Sequence, residues 1–138
     1  MNDIAPTIKK DLQIINDLSY STINSVNHLI EAIQKGYENA PELVDSIYNK
    51  VNTLSDIATT LEQFLTKLDE ITPGISLGDA IDSIKSINNK LNSAKEALSI
   101  IKEQLNNGQT PSLDKLNNVL TLLNDVNNIT SLSKVKTL

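Results

Sequence analysis

From Val44 to Leu105 the apolar residues return every three or four positions, with one interruption at Thr72-Pro73-Gly74-Ile75-Ser76. Before the break the run is Val44, Ile47, Val51, Leu54, Ala58, Leu61, Leu65 and Leu68. After it come Leu77, Ala80, Ile84, Ile87, Leu91, Ala94, Leu98, Ile101 and Leu105. Alternating steps of three and four are the heptad rhythm of helices packed side by side, and no strand has that period. Pro-Gly stops a helix and turns the chain, so the stretch reads as two long helices folded back on each other.

The outer segments carry the same rhythm. Pro6 suits a first helical turn and Gly36 suits an exit, which predicts a first helix over 6–35 with the seam Ile8, Leu12, Ile15, Ser19, Thr22, Val26, Leu29 and Ile33. Ser19 and Thr22 fall on two successive core positions. Either the stripe shifts sideways onto Leu18 and Ile23, the reading favoured by hydrophobicity alone, or the small hydroxyls let helices approach closely. Pro41 opens the second helix, over 41–71, and Ser76 with Asp79 resembles a capping box for the third, over 77–106. Asn107-Gly108 ends that helix, and Thr110-Pro111 reads as the start of a fourth over 112–132. The fourth is dense in leucine and carries five asparagines between Asn117 and Asn128, too crowded for a narrow seam and of low intrinsic helicity. Residues 133–138 read as a mobile or partner-held tail.

Short connections force sequence neighbours to be antiparallel. The expected fold is all-α: a single domain over 1–138, an elongated up-down-up-down four-helix bundle with coiled-coil-like packing. Two tandem αα-hairpins, open or closed, are the variant of that architecture. Leu29–Gly36 parallels Ile101–Gly108 and Leu54–Ile57 echoes Leu123–Val126, which reads either as a duplicated αα-hairpin or as the likeness that amphipathic, Asn-rich helices share by composition alone.

Composition narrows the function classes. There is no cysteine, so neither disulfides nor thiolate metal sites arise. Net charge is −5, and all twelve basic residues are lysine. Without arginine the bidentate contacts of nucleic-acid recognition are missing, and no nucleic-acid partner is expected. No segment approaches the length of uninterrupted apolar sequence that a membrane span needs. The first twenty residues hold no apolar block like that of a secretory leader, which predicts a cytoplasmic, virion-associated or leaderless exported protein.

Catalytic chemistry finds little to build on. His28 is the only histidine, and Glu31 one turn on offers at most a second ligand; a bundle di-metal site needs carboxylates from four helices. A solvated polar His28 is the expectation. Asp69-Glu70 and Asp79 with Asp82 sit at helix ends, where acids complement the dipole or face water. Gly74-Ile75-Ser76-Leu77-Gly78 lacks the preceding strand and the basic residue of a phosphate cradle. Asn128-Ile129-Thr130 matches a glycosylation sequon, which a chain with seventeen asparagines meets by chance. No catalytic, cofactor-binding or metal-ligating set is expected, and no cofactor.

What remains is surface for packing. Beside the seam of the second helix a second row, Leu43, Ile57, Phe64 and Ile71, widens its apolar face so that it should touch two neighbours. The opposite face is acidic. Tyr37 and Tyr48 flank the first connection, and tyrosine is common at interfaces. These six residues are the candidate partner contacts. The reading is a non-enzymatic structural or interaction protein, a self-associating bundle or a subunit of a virion, phage particle, or surface or secretion apparatus. One alternative is an amphipathic protein that coats lipid or a storage polymer; scarce aromatics and absent arginine weigh against that. Another is a helical partner of an exported bacterial toxin system, although the chain has no Trp for a Trp-x-Gly hairpin turn.

Overall fold

A computed structural model describes residues 5–72, 74 and 76–132, and among them the chain forms four α-helices and no strand. They are α1 (Ala5–Lys35), α2 (Ala40–Ile71), α3 (Gly78–Asn106) and α4 (Leu113–Leu132). The expected tail over 133–138 lies outside the described residues. Each helix packs on two others, α1 on α2 and α4, and α3 on α2 and α4. The ring is closed, so the two hairpins lie against each other as a four-helix bundle rather than open end to end. Cross-helix pairs give the direction: Asp45 meets Lys102 while Glu62 meets Asn88, so residue numbers climb on α2 as they fall on α3. At 1.5 Å per residue the 32 residues of α2 span about 48 Å, several times the 8–10 Å between packed helix axes.

The core is aliphatic and one seam wide. All of Val44, Ile47, Val51, Leu54, Ala58, Leu61 and Leu65 are buried on α2, as are Ile84, Ile87, Leu91, Ala94, Leu98 and Ile101 on α3. Truncating any one large side chain in such a core leaves a cavity that costs about 2–5 kcal/mol. On α1 the favoured sideways shift is wrong. Ser19 and Thr22 are fully buried, whereas Leu18 and Ile23 only pack against the core from its flanks. The register holds because the hydroxyls are satisfied within α1: Ser19 Oγ donates to the Asn16 carbonyl (2.8 Å) and Thr22 Oγ1 to the Leu18 carbonyl (2.6 Å). Near the exit of α1, Ala32 takes the buried place expected for Ile33.

The crowded leucines of α4 also resolve into a narrow seam, Leu116, Val119, Leu123, Val126 and Thr130, all buried; Leu120, Leu122 and Ile129 flank it. Thr130, not Ile129, takes the core position because its hydroxyl is bonded back to its own helix, at 2.9 Å to the Asn127 carbonyl.

Helix ends follow from backbone bookkeeping. At Gly36 (φ +71°) the Tyr37 N–H reaches the Ala32 carbonyl (2.8 Å) and the Gly36 N–H the Ile33 carbonyl (3.2 Å). At Gly108 (φ +76°) the Gln109 N–H reaches Gln104 (2.8 Å) and the Gly108 N–H reaches Leu105 (3.1 Å). Both exits are Schellman motifs, which require a left-handed residue and so favour glycine. Helix α4 is capped by Ser112, whose Oγ accepts the Lys115 N–H (3.2 Å), so the cap lies two residues later than Thr110-Pro111 suggested. Helix α3 begins at Gly78 with Leu77 as its N-cap residue and no side-chain cap bond there. The Leu77 N–H instead donates to Asp69 Oδ1 across the turn (3.4 Å).

The spacing of buried positions, rather than of residue types, is what the two halves share. Buried positions recur at a constant separation of 72 residues in both hairpins: Leu12 and Ile84, Val26 and Leu98, Val51 and Leu123, Ala58 and Thr130. Leu54 therefore corresponds to Val126, not to Leu123 as the sequence echo suggested.

Candidate functional site

The six candidate contact residues do not form one patch. Leu43, Ile57, Phe64 and Ile71 stand every seven or fourteen residues along one column of α2, and Lys50 stands in the same column. Lys50 Nζ donates to Ser25 Oγ on α1 (2.7 Å), so the column runs along the α1 side of α2. Leu43 and Ile57 are half-buried against the core. Phe64 is 38% and Ile71 68% exposed, so the column emerges into solvent as it approaches the α2–α3 turn. Tyr48 lies on the opposite flank of α2, half-buried in a groove of about 380 Å³ shared with Leu98, Ser99 and Lys102 of α3. The Asp45–Lys102 ion pair, 2.6 Å, belongs to the lining of that groove. Tyr37 is 51% exposed at the far end of the bundle, beside a cleft of about 380 Å³ between the two Schellman exits.

Sequence reasoning missed Ile14, Ile100 and Leu113, which are also exposed. Ile14 and Ile100 each precede a fully buried isoleucine, Ile15 and Ile101. Only one residue of such a doublet can point inward on a helix, so the signal was present in the spacing.

The polar residues considered for chemistry are dispersed. His28 is exposed on α1. Glu31 is bonded to Lys35 at 2.8 Å, one turn further along the helix. That hydrogen bond and the charge of Lys35 hold the Glu31 carboxyl below its ordinary value, and the same bond with the charge of Glu31 raises Lys35 above its own. Asp69 is occupied with the turn, while Asp79 and Asp82 are on the surface of the first turn of α3. Among the described residues no three His, Cys, Asp or Glu side chains come together as metal ligands, and no helix is long and apolar enough to cross a membrane. What the grooves and the exposed column offer a ligand is apolar contact and shape.

No family model, curated protein or solved structure matches this chain.

Proposed function

We propose that this chain is a non-enzymatic interaction protein, a helical-bundle subunit that joins a larger assembly through an apolar helix surface. A virion or phage particle, or a surface or secretion apparatus, is the kind of assembly that suits such a subunit. The observation that carries the reading is the Leu43–Ile57–Phe64–Ile71 column. Leu43 and Ile57 pack against the core from its flank, yet Phe64 and Ile71, one heptad apart on the same side of the helix, remain in part open to solvent. Single exposed apolar residues are ordinary, whereas a row of them marks a place where another surface fits. Burying both against a partner would remove apolar area at about 25 cal/mol per Å².

Light scattering after size exclusion tests the proposal. The expected mass exceeds the 15.1 kDa of one chain, or thermal stability rises with protein concentration. Phe64→Ser combined with Ile71→Ser should return the chain to a monomer while its helical circular dichroism persists. A wild-type monomer whose melting is independent of concentration would remove the case for self-assembly.

A further inference from the structure

The two hairpins, α1–α2 and α3–α4, share one 72-residue register of buried positions. An apolar seam of that period fixes how helices lie together but not which hairpin lies against which. Two copies of α1–α2 from different chains would align their core layers as well as α1–α2 aligns with α3–α4. Besides the Asp45–Lys102 and Glu62–Asn88 pairs of α2 and α3, the densest polar cluster that tells these pairings apart lies where α1 meets α4.

There Asn16 Nδ2 donates to Ser131 Oγ (2.7 Å), Thr130 Oγ1 (2.9 Å) and the Asn127 carbonyl (3.3 Å). Asn127 Nδ2 returns bonds to the Asn16 carbonyl (3.2 Å) and to Ser19 Oγ (3.1 Å). Each asparagine amide thus reaches the main chain of the other, and the buried Ser19 and Thr130 lie between them. We propose that this cluster is a pairing-selectivity device: it makes α1–α2 close on α3–α4 and rejects like-with-like pairing between hairpins of two copies of the chain.

The 72-residue register shows why. If α1–α2 met a second α1–α2, Asn16 would face Ser55, Ala58 and Thr59 in place of Asn127, Thr130 and Ser131. No amide would then return a bond to the Asn16 carbonyl or to Ser19. If α3–α4 met a second α3–α4, Asn127 would face Asn88 and Leu91 in place of Asn16 and Ser19. Its second N–H would point at a leucine, so the half-buried amide would lose the bond it makes to Ser19 in the native pairing. A single polar position in an apolar seam sets register and partner in the same way.

The counterpart on the other seam makes an internal control. Asn88, 72 residues on from Asn16, donates to Glu62 Oε1 (2.9 Å) and accepts from Thr59 Oγ1 (3.4 Å). Both of these partners are side chains, so Asn88 lacks the reciprocal main-chain bonds that Asn16 and Asn127 share.

The test uses the full chain with Asn16→Leu and Asn127→Leu together, and Asn88→Leu as the control. Wild type and Asn88→Leu should each give one amide NMR signal per described residue. The double variant should keep its helical circular dichroism but give more than one signal per residue, with a species of twice the wild-type mass. One signal per residue and an unchanged mass in the double variant would overturn the proposal. So would loss of helical structure, because the cluster would then supply stability rather than choice. The signal count is read relative to the wild type in each case, so it stands apart from whether the chain assembles through Phe64 and Ile71.

Discussion

Thr22 is buried, but its hydroxyl makes its bond to the Leu18 carbonyl inside its own helix. That carbonyl already accepts a helical N–H, so removing the hydroxyl orphans nothing. Thr22→Val, nearly the same shape and more apolar, should leave stability unchanged or raise it by up to about 1 kcal/mol in urea unfolding. A loss above that would mean Thr22 has a partner outside α1. Ser19 differs, because its oxygen also accepts from Asn127 across the seam. At the surface, the lowered carboxyl of Glu31 stabilises the fold above the ordinary carboxylate value of 4.5, and that contribution disappears as pH falls through the folded value. Lys35, raised from 10.5, contributes below that value and loses its share as pH rises through its folded value. The melting-temperature difference between wild type and Glu31→Gln should therefore stay constant through neutrality and shrink in acid. Both groups are in water, so the difference will be small throughout.

At the scale of the element, the two glycine exits offer a matched pair. An added Cβ would meet nothing within 4 Å at Gly36 or at Gly108, so steric crowding plays no part in either. What remains is the left-handed backbone, about 1–2 kcal/mol for a residue with a side chain. Gly36→Ala and Gly108→Ala should each lower the unfolding free energy by that amount, read as a lower urea midpoint with the slope unchanged, and by similar amounts at the two sites. Very unequal losses would show that the two exits are not the same motif. These ends were legible in sequence because a glycine between an amphipathic run and a helix start has few other uses. The start of α4 was not. Thr110-Pro111 looks like a cap and a first helical residue, yet Ser112 is the residue whose oxygen reaches the third helical N–H. Two hydroxyl residues flank that proline, and only backbone direction distinguishes them. The crowding of α4 had the same origin: Ile129 is the more apolar candidate, but a threonine bonded to its own helix enters the core without an unsatisfied group.

For the whole molecule, the antiparallel order of the helices was readable from heptad steps and short connections, since a brief turn brings the next helix back beside the last. The dispersal of the six candidate contacts was not. Tyr37 and Ile71 lie at opposite ends of a long bundle, and sequence spacing along one helix cannot say which flank a neighbour will cover. The α1–α4 seam was equally hidden, because Asn16 and Asn127 are 111 residues apart and each, taken alone, is an ordinary polar residue beside a core position. What the chain determined by itself is local: the helix period, the two glycine exits and the seams of α2 and α3, all set by backbone geometry and burial within a few turns. What only the tertiary structure decided is which polar side chains meet, and so which hairpin faces which. A hydrogen bond needs its two partners within about 3 Å, and nothing in either partner's own neighbourhood encodes that distance.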